Sequence, residues 1–487
     1  MYFLLYMFLL FLSNKIYSAD KLIFVMTHFR HGARAPQYYY TNYVDYVFEK
    51  WENPGELTGI GQRMHYLLGI RNRIRYINEN NFLSERFDPH EILIYSSCIN
   101  RTINSVSAQL QGLYPQFIKQ GETLTEEQEE CSKPQVSIDY DIITEEIKNL
   151  NKSALPNSMI LAPVRMINKN ERKIRLYDTE GCKTKAKEIR KKNEQTLESL
   201  INIVKRFNDN YGETLNKFYG KNESYDISFI DNFCDAYISS YTDQRDMLEF
   251  QKTEINLEEL ITFCYEYQKL SFRDWLLGDN NHSIAHLETS VLMKEFIHYM
   301  KQRIDADIKK EDIDSHYNDY SKPKMMMISH DTTLSCFEIF LMEALQKDLD
   351  FYRYPDFAAQ MAFEVTTNDN NADGKNYNNY FVNYYFNDEL LFNLTVEDFI
   401  NKITPNIWSD KQINEYCGFD QGNSSDDNNN FYYFNNNKKN NKGLKVALII
   451  TSILAGVFLI TTLILSICLF KNKNNMLVNN SIITEKK

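Results

Sequence analysis

Short unbroken apolar runs stand out along the chain, at 22–27, 92–96 and 325–329. Runs of this length without alternation are typical of strands that are covered on both faces, as in an α/β sheet. A fourth candidate, 380–386, alternates less clearly, and we expect it at the sheet edge. The pattern predicts an α/β fold whose central, mostly parallel sheet is flanked by helices.

Helical patterns fill the space between these runs. Residues 58–75 repeat apolar positions at near-helical spacing, and Thr58 stands where an N-cap is expected. From about 122 to 284 the sequence is charged and mostly helical in pattern, and it includes a basic amphipathic run over 183–207. This segment predicts a mainly helical cap inserted into the sheet domain.

The two ends of the chain depart from the globular pattern. Residues 1–12 are almost entirely apolar and lead to Ser18-Ala19, as in a secretory signal peptide. Near the other end, 446–470 is apolar over a length that can cross a bilayer, and Lys471 and Lys473 follow it. We therefore predict a single-pass type I membrane protein: signal peptide 1–19, luminal domain 20–421, Asn-rich stalk 422–445, transmembrane helix 446–470 and cytoplasmic tail 471–487.

Composition and charge narrow the class of protein. Hydrophobic residues make up 43% and charged residues 25%, which is ordinary globular usage. The net charge of −12 argues against a nucleic-acid partner. All of the cysteines except Cys468 fall in the predicted luminal domain, where disulfides persist, and their odd number leaves at least one unpaired within the chain. Sequons usable there occur at Asn151, Asn222, Asn281, Asn393 and Asn423.

Polar clusters follow the three apolar runs at the points where the predicted strands end. They are residues 30–36 (RHGARAP), Arg101-Thr102 and His330-Asp331. Open α/β sheets build their sites at the carboxyl ends of strands, so we expect the three clusters to meet.

The chemistry of these clusters is coherent. Arg30, Arg34 and Arg101 supply planar forks that can grip a phosphate and offset its charge. The remaining imidazoles and the carboxylate can act as nucleophile and proton donor in phosphoryl transfer, and this set requires neither metal nor cofactor. Taken alone, Arg101 could be a surface charge and His330 a core histidine. We interpret His28 and His65 as structural.

At this point the sequence resembles the histidine acid phosphatases, a branch of the histidine phosphatase superfamily that includes phytases and the lysosomal and prostatic acid phosphatases. Residues 30–36 match the signature RHGxRxP, and 329–333 match the downstream HD motif. Weaker matches are 55–58 (GELT) and the strand that leads to Arg101-Thr102. The resemblance covers about 22–417 and implies a phosphoglycerate mutase-like sheet domain.

The resemblance also implies residue roles and substrates. His31 would be the nucleophile and Asp331 the proton donor, and the phosphoryl oxygens would be held by Arg30, Arg34, Arg101 and His330. The implied substrates are phosphate monoesters, and the implied activity favours acid pH in a lysosome-like compartment or at the cell surface. A long-range disulfide between Cys182 and Cys417 follows the family pattern, and a homodimer stays open.

One departure from the family pattern and one variable position leave alternatives open. Many members carry Asp three residues before the arginine of the RT segment, where this chain has Cys98. The variable position after the signature glycine, Ala33, does not fix the substrate. An inositol polyphosphate phosphatase would need further cations near the pocket, for which the run 183–192 is a candidate. An inactive receptor or adhesion ectodomain would usually have lost a catalytic residue, and none is missing here.

Overall fold

The computed structural model describes residues 20–37, 51, 53–115, 123–132, 144–156, 159–244, 253–278, 284–311, 322–368 and 376–419. The chain divides into two compact units, Met1–Gln421 and Gly422–Lys487. The second unit, and with it the predicted stalk, transmembrane helix and tail, lies outside the described residues, as does the predicted signal peptide. Among the helices of the described residues, none combines the length and the apolar character needed to cross a membrane.

A seven-stranded sheet forms the centre of the first unit, with the order β3-β2-β4-β1-β5-β6-β7. Its strands are β1 Lys21–Phe29, β2 Ile92–Ser97, β3 Arg165–Ile167, β4 Met325–Ser329, β5 Gln360–Thr367, β6 Tyr380–Phe386 and β7 Glu389–Thr395. The first four strands in this order pair in parallel, and β5, β6 and β7 continue the sheet in antiparallel pairings. The α/β prediction is confirmed, but the sheet is mixed rather than mostly parallel.

The antiparallel half explains where the sequence interpretation was wrong. We expected 380–386 at the sheet edge, but β6 lies between β5 and β7, and its two neighbours bury most of its side chains. The edge strand is β7, whose side chains are largely exposed or half-buried. At the opposite edge, β3 comes from the segment expected to be mainly helical. Three residues are too few to give a period in the sequence.

Helices cover both faces of the sheet. The longer ones are α1 Gly59–Arg73, α2 Asn100–Leu113, α3 Glu126–Cys131, α4 Thr144–Leu150, α5 Glu180–Thr196, α6 Glu198–Phe207, α7 Glu213–Tyr219, α8 Ile227–Thr242, α9 Leu257–Leu277, α10 Ile284–Lys309, α11 Asp331–Ala344, α12 Val396–Ile403 and α13 Asp410–Cys417. The predicted cap of α1 is present, because the Thr58 hydroxyl accepts a hydrogen bond from the Gly61 amide at 3.3 Å.

A second, aromatic core packs between α6, α8 and α9, away from the sheet. Phe207, Phe233, Tyr237 and Phe263 are buried in it. A disulfide between Cys234 and Cys264 joins α8 to α9 in the same core. The structure also joins Cys182 to Cys417, which links α5 to α13, and this is the pair that the resemblance implied. Of the other described cysteines, Cys98, Cys131 and Cys336 form no disulfide.

The helices α1 and α2 cross at very short distance because glycines lie at their contact. A Cβ atom on Gly69 would lie 2.0 Å from the carbonyl oxygen of Gln109, and one on Gly112 would lie 2.0 Å from that of Tyr66. Only hydrogen fits at both positions. The start of α1 contacts the loop that follows β1, and this loop carries the first polar cluster.

We predict that Gly69→Ala lowers the free energy of unfolding by about 1–3 kcal/mol, the usual cost of overpacking a tight contact. The measurement is the midpoint of urea unfolding. Gly59→Ala, at the start of the same helix, is the matched control because its Cβ would meet no heavy atom within 4 Å. Equal losses in the two variants would contradict the close crossing.

Candidate active site

The three polar clusters meet at one end of the parallel strands. The register of β4 places Ser329 opposite Phe29 of β1 and opposite Ser96 of β2. The residues that leave these three strands therefore start side by side. The expectation that the clusters lie at the carboxyl ends of neighbouring strands is confirmed.

The loop 30–36 is held in place by the start of α1. The backbone carbonyl of Ala33 accepts hydrogen bonds from the Thr58 amide at 3.0 Å and from the Thr58 hydroxyl at 3.2 Å. Gly32 lies so close to Gly61 that a Cβ would come within 2.4 Å of the Gly61 carbonyl oxygen. The glycine of the signature is thus required by a backbone contact behind the loop.

The imidazole of His31 is fully buried, and its orientation is fixed from one side. Nδ1 lies 2.8 Å from the carbonyl oxygen of Gly32. Because a carbonyl only accepts, Nδ1 carries a proton, and the neutral ring keeps its lone pair on Nε2. Burial lowers the pKa of His31 to about 3, so the ring is neutral over the ordinary pH range. Nε2 is therefore available as a nucleophile.

Asp331, the first residue of α11, faces this nucleophilic nitrogen. Its Oδ2 lies 3.2 Å from Nε2 of His31, and its Oδ1 accepts from the Thr332 amide at 2.8 Å. Burial acts to raise the pKa of Asp331, but the hydrogen bond with His31 and the nearby His330 and Arg101 hold it well below its usual range.

His330 offers a second imidazole nitrogen to the same space. Its Nδ1 lies 3.1 Å from the Ser97 hydroxyl, and its Nε2 is buried without a hydrogen-bond partner. Burial lowers the pKa of His330 to about 4. When the Ser97 hydroxyl donates to Nδ1, Nε2 carries the proton, and an anionic oxygen there would select this tautomer because it can only accept.

Arg30 is buried between the loop and the segment that precedes β5. Its Nη1 donates to the Pro355 carbonyl at 2.7 Å and to the Tyr354 hydroxyl at 3.2 Å. Its guanidinium carbon lies 4.6 Å from the centre of the Phe357 ring, and that ring also contacts His31. Arg30 Nε is buried without a partner. One edge of the guanidinium is held by protein, and the other is left to bind a ligand.

Arg34 is held by a carboxylate from α8, 201 residues away along the chain. Its Nη2 donates to Oδ1 of Asp235 at 2.7 Å, and its Nη1 donates to Oδ2 at 3.3 Å. Nη1 also donates to the Ala35 carbonyl at 2.9 Å. Nε of Arg34 is buried without a partner, as in Arg30.

Arg101, at the start of α2, completes a group of three guanidinium groups. Burial lowers the pKa of Arg101, and Arg34 and Arg30 act in the same direction, while Asp331 and Asp235 oppose them. Among the described residues, the buried side-chain donors without a partner include Nε of Arg30, Arg34 and Arg101 and Nε2 of His330. Donors and positive charge converging in this way match a phosphoryl group, whose oxygens only accept. Among the residues that the structure describes, no group of three or more His, Cys, Asp or Glu side chains is placed to hold a metal ion.

The structure thus brings together the six residues singled out in the sequence, which are Arg30, His31, Arg34, Arg101, His330 and Asp331. His28 and His65 are structural, as interpreted, but they support this site: His28 Nε2 donates to the His330 carbonyl at 2.9 Å, and His65 Nε2 donates to the Arg30 carbonyl at 3.1 Å.

Sequence reasoning missed Asp235 and Ser97. Ser97 directly follows a noted strand, so its place was within reach of the motif. No local signal marks Asp235, which lies in the middle of a cap helix. Of the basic run 183–192, Lys183 pairs with Asp178 at 3.3 Å and Arg190 pairs with Asp231. Neither partner is one of the six residues singled out in the sequence, although Asp178 acts electrostatically on His330.

Comparisons with known proteins agree with this chemistry. A family model described as histidine phosphatase superfamily (branch 2) matches residues 21–387. The chain is 36% identical over 107 residues to lysosomal acid phosphatase of Xenopus laevis, covering 22% of this chain and 24% of that protein. It is 37% identical over 99 residues to prostatic acid phosphatase of Bos taurus, and this match covers 20% of this chain and 24% of that protein. The matched stretch spans about a quarter of the length of these relatives.

Solved structures share the fold at low identity. The apo form of Hafnia alvei phytase is 12% identical, with a TM-score of 0.50, over 83% of this chain and 99% of that chain. At this identity the likeness speaks for the architecture alone.

We predict that inorganic phosphate stabilises the protein, because it can accept from the unpaired donors. At 100 times Kd the free energy of unfolding should rise by about 2.7 kcal/mol. Arg101→Ala should remove most of this gain. The control is Arg206→Ala, since Arg206 pairs with Glu266 on the cap surface at 2.5 Å and should keep the gain. No stabilisation of the unaltered protein by phosphate in thermal melts would contradict the assignment.

Proposed function

The chain belongs to branch 2 of the histidine phosphatase superfamily, and from this premise we propose that it is an acid phosphatase that hydrolyses phosphate monoesters through a phosphohistidine on His31. The observation that carries the proposal is the convergence of unpaired buried donors around Nε2 of His31. The retention of all six residues supports an active enzyme over an inactive receptor scaffold.

In the first step, Nε2 of His31 attacks phosphorus in line while the bond from phosphorus to the leaving oxygen breaks. Asp331 gives its proton to that oxygen, so that an alcohol leaves. Arg30, Arg34, Arg101 and His330 bind the phosphoryl oxygens and stabilise the charge of the transition state. The proton stays on Nδ1 of His31 and remains hydrogen-bonded to the Gly32 carbonyl, which keeps the ring from turning as the new N–P bond forms.

In the second step, water attacks the phosphohistidine. Asp331, now a carboxylate, takes a proton from the water, and the N–P bond breaks. Phosphate leaves, and His31 regains its lone pair on Nε2. The same carboxyl group serves as acid and then as base, so each turnover restores its proton.

The proton on Asp331 makes the proposed activity favour acid pH. In the free site the hydrogen bond with His31 and the nearby His330 and Arg101 lower the pKa of Asp331, against the effect of burial. A bound phosphoryl dianion offsets the positive charge of Arg101 and displaces the His31 contact, and both effects raise that pKa. The rate should therefore fall as pH rises through the pKa of Asp331 in the complex. In the free site burial lowers the pKa of His31 to about 3, so its ring is neutral above that pH.

We also propose that the catalytic domain lies outside the cytosol on a single C-terminal anchor, residues 446–470, with a signal peptide at 1–19. The disulfides Cys182–Cys417 and Cys234–Cys264 support an oxidising compartment. Lysosomal acid phosphatases among the relatives agree with a luminal or extracellular domain. A homodimer stays a prediction.

His31→Ala should lower kcat for an aryl phosphate at least about a thousandfold, because the change removes the proposed nucleophile. The measurement is steady-state hydrolysis by the full-length protein at pH 3 to 9. His90→Ala is the matched control. His90 contacts Asp88 beside the other end of β2 and should leave kcat within about twofold, as surface changes usually do. Substantial turnover by His31→Ala would rule out the phosphohistidine.

Asp331→Asn should slow alkyl phosphates far more than aryl phosphates, because a poor leaving group needs the proton and a good one does not. The fall of kcat at rising pH should also disappear for the aryl substrate in this variant. Parallel pH profiles for both substrates test this. An equal loss for both classes, with the wild-type pH dependence unchanged, would show that Asp331 is not the donor.

A further inference from the structure

One carboxylate of the cap reaches the phosphate-binding residues without belonging to them. The carboxylate of Asp235 in α8 accepts hydrogen bonds from Nη2 of Arg34 at 2.7 Å and from Nη1 at 3.3 Å. Its Oδ2 also accepts a hydrogen bond from the Gln37 amide at 2.8 Å. Only 14% of the Asp235 side-chain surface is exposed to solvent, so little water competes for these hydrogen bonds. Neither the family signature nor the HD motif contains this residue.

The donors of Arg34 show what this carboxylate leaves free. Asp235 takes one N–H from Nη1 and one from Nη2, and the Ala35 carbonyl takes the other N–H of Nη1. What remains is Nε–H, buried without a partner, and the second N–H of Nη2. In a planar guanidinium these two point the same way and form one bidentate edge. Asp235 therefore fixes the guanidinium so that this edge stays open.

We propose that Asp235 is a positioning residue, which aims the free edge of Arg34 at the transferring phosphoryl group. The inference rests on the proposed phosphohistidine reaction and extends it, because it makes the cap helix α8 part of the phosphate-binding machinery. Asp235 does not touch the substrate and acts through Arg34.

The cap holds Asp235 firmly enough for this role. Cys234, its neighbour in α8, is bonded to Cys264 of α9. Phe233 and Tyr237, on either side, are buried in the aromatic core of the cap. The packed side chains of the cap core thus fix the position of the carboxylate. A displacement of the carboxylate would also displace the Arg34 guanidinium that it holds.

The pair also persists in acid, where the proposed reaction runs. Burial acts to raise the pKa of Asp235, but Arg34 and the Gln37 amide hold it below its usual range. Asp235 therefore stays ionised and keeps its hydrogen bonds to Arg34 at pH values that protonate an ordinary carboxylate.

The experiment is a double-mutant cycle in kcat for an aryl phosphate, with the full-length protein. Asp235→Asn keeps the size of the side chain and removes its charge. It should lower kcat about tenfold when Arg34 is present, within the range of coupled neighbours. In an Arg34→Ala background the same change should cause no loss, because an unpaired carboxylate there only repels phosphate. Asp235→Glu, which keeps the charge, should retain more activity than Asp235→Asn.

A second readout separates positioning from general damage. The Kd of inorganic phosphate should be unchanged or tighter in Asp235→Asn, since the loss of a negative charge does not weaken the attraction. A disrupted site would instead lose kcat and phosphate affinity together. Asp231→Asn is the matched control, because Asp231 lies one turn earlier in α8 and pairs with Arg190 and Tyr267. It should keep kcat within about twofold.

The outcomes distinguish this inference from the function on which it rests. An equal loss in both Arg34 backgrounds, or no loss at all in an active protein, would overturn the role of Asp235 alone. Absence of turnover in the wild type and in Asp231→Asn would overturn the proposed reaction and the inference with it.

Discussion

The burial of positive charge beside His31 is the constraint on which the rest of the site depends. Charged groups are costly to bury unless they are paired and hydrogen-bonded. Arg30 and Arg34 are each held by protein on one edge, through the Pro355 carbonyl and the Asp235 carboxylate. Their Nε groups remain buried without partners. A phosphoryl group can accept from these donors and offset their positive charge together, so the buried charge favours binding of the substrate.

Such a site works only if its backbone cannot relax around the charges. Gly32 and Gly61 bring the signature loop into direct contact with α1, and Gly69 and Gly112 bring α1 equally close to α2. His65 then holds the loop from behind through the Arg30 carbonyl. The glycines and this histidine carry no chemistry of their own, but they connect the packing of the helices to the geometry of phosphate binding.

What the sequence could predict follows from how local each signal is. The strand β4 was predicted with its observed bounds, and Thr58 caps α1 as expected, because both depend on a few adjacent residues. The interior position of β6 could not be predicted, because β7, which pairs with its outer edge, shows no clear alternation of apolar and polar residues. The role of Asp235 could not be predicted from the sequence, because its partner Arg34 lies in another part of the chain and only the folded structure brings the two together.

The central claim, a covalent intermediate on His31, is tested most directly by partitioning. The full-length protein is given several phosphate monoesters with different leaving groups in the presence of a fixed concentration of an alcohol that can compete with water. If every substrate passes through one phosphohistidine, the ratio of phosphoryl transfer to alcohol over transfer to water is the same for all of them. A ratio that changes with the leaving group would contradict the intermediate and favour direct attack by water.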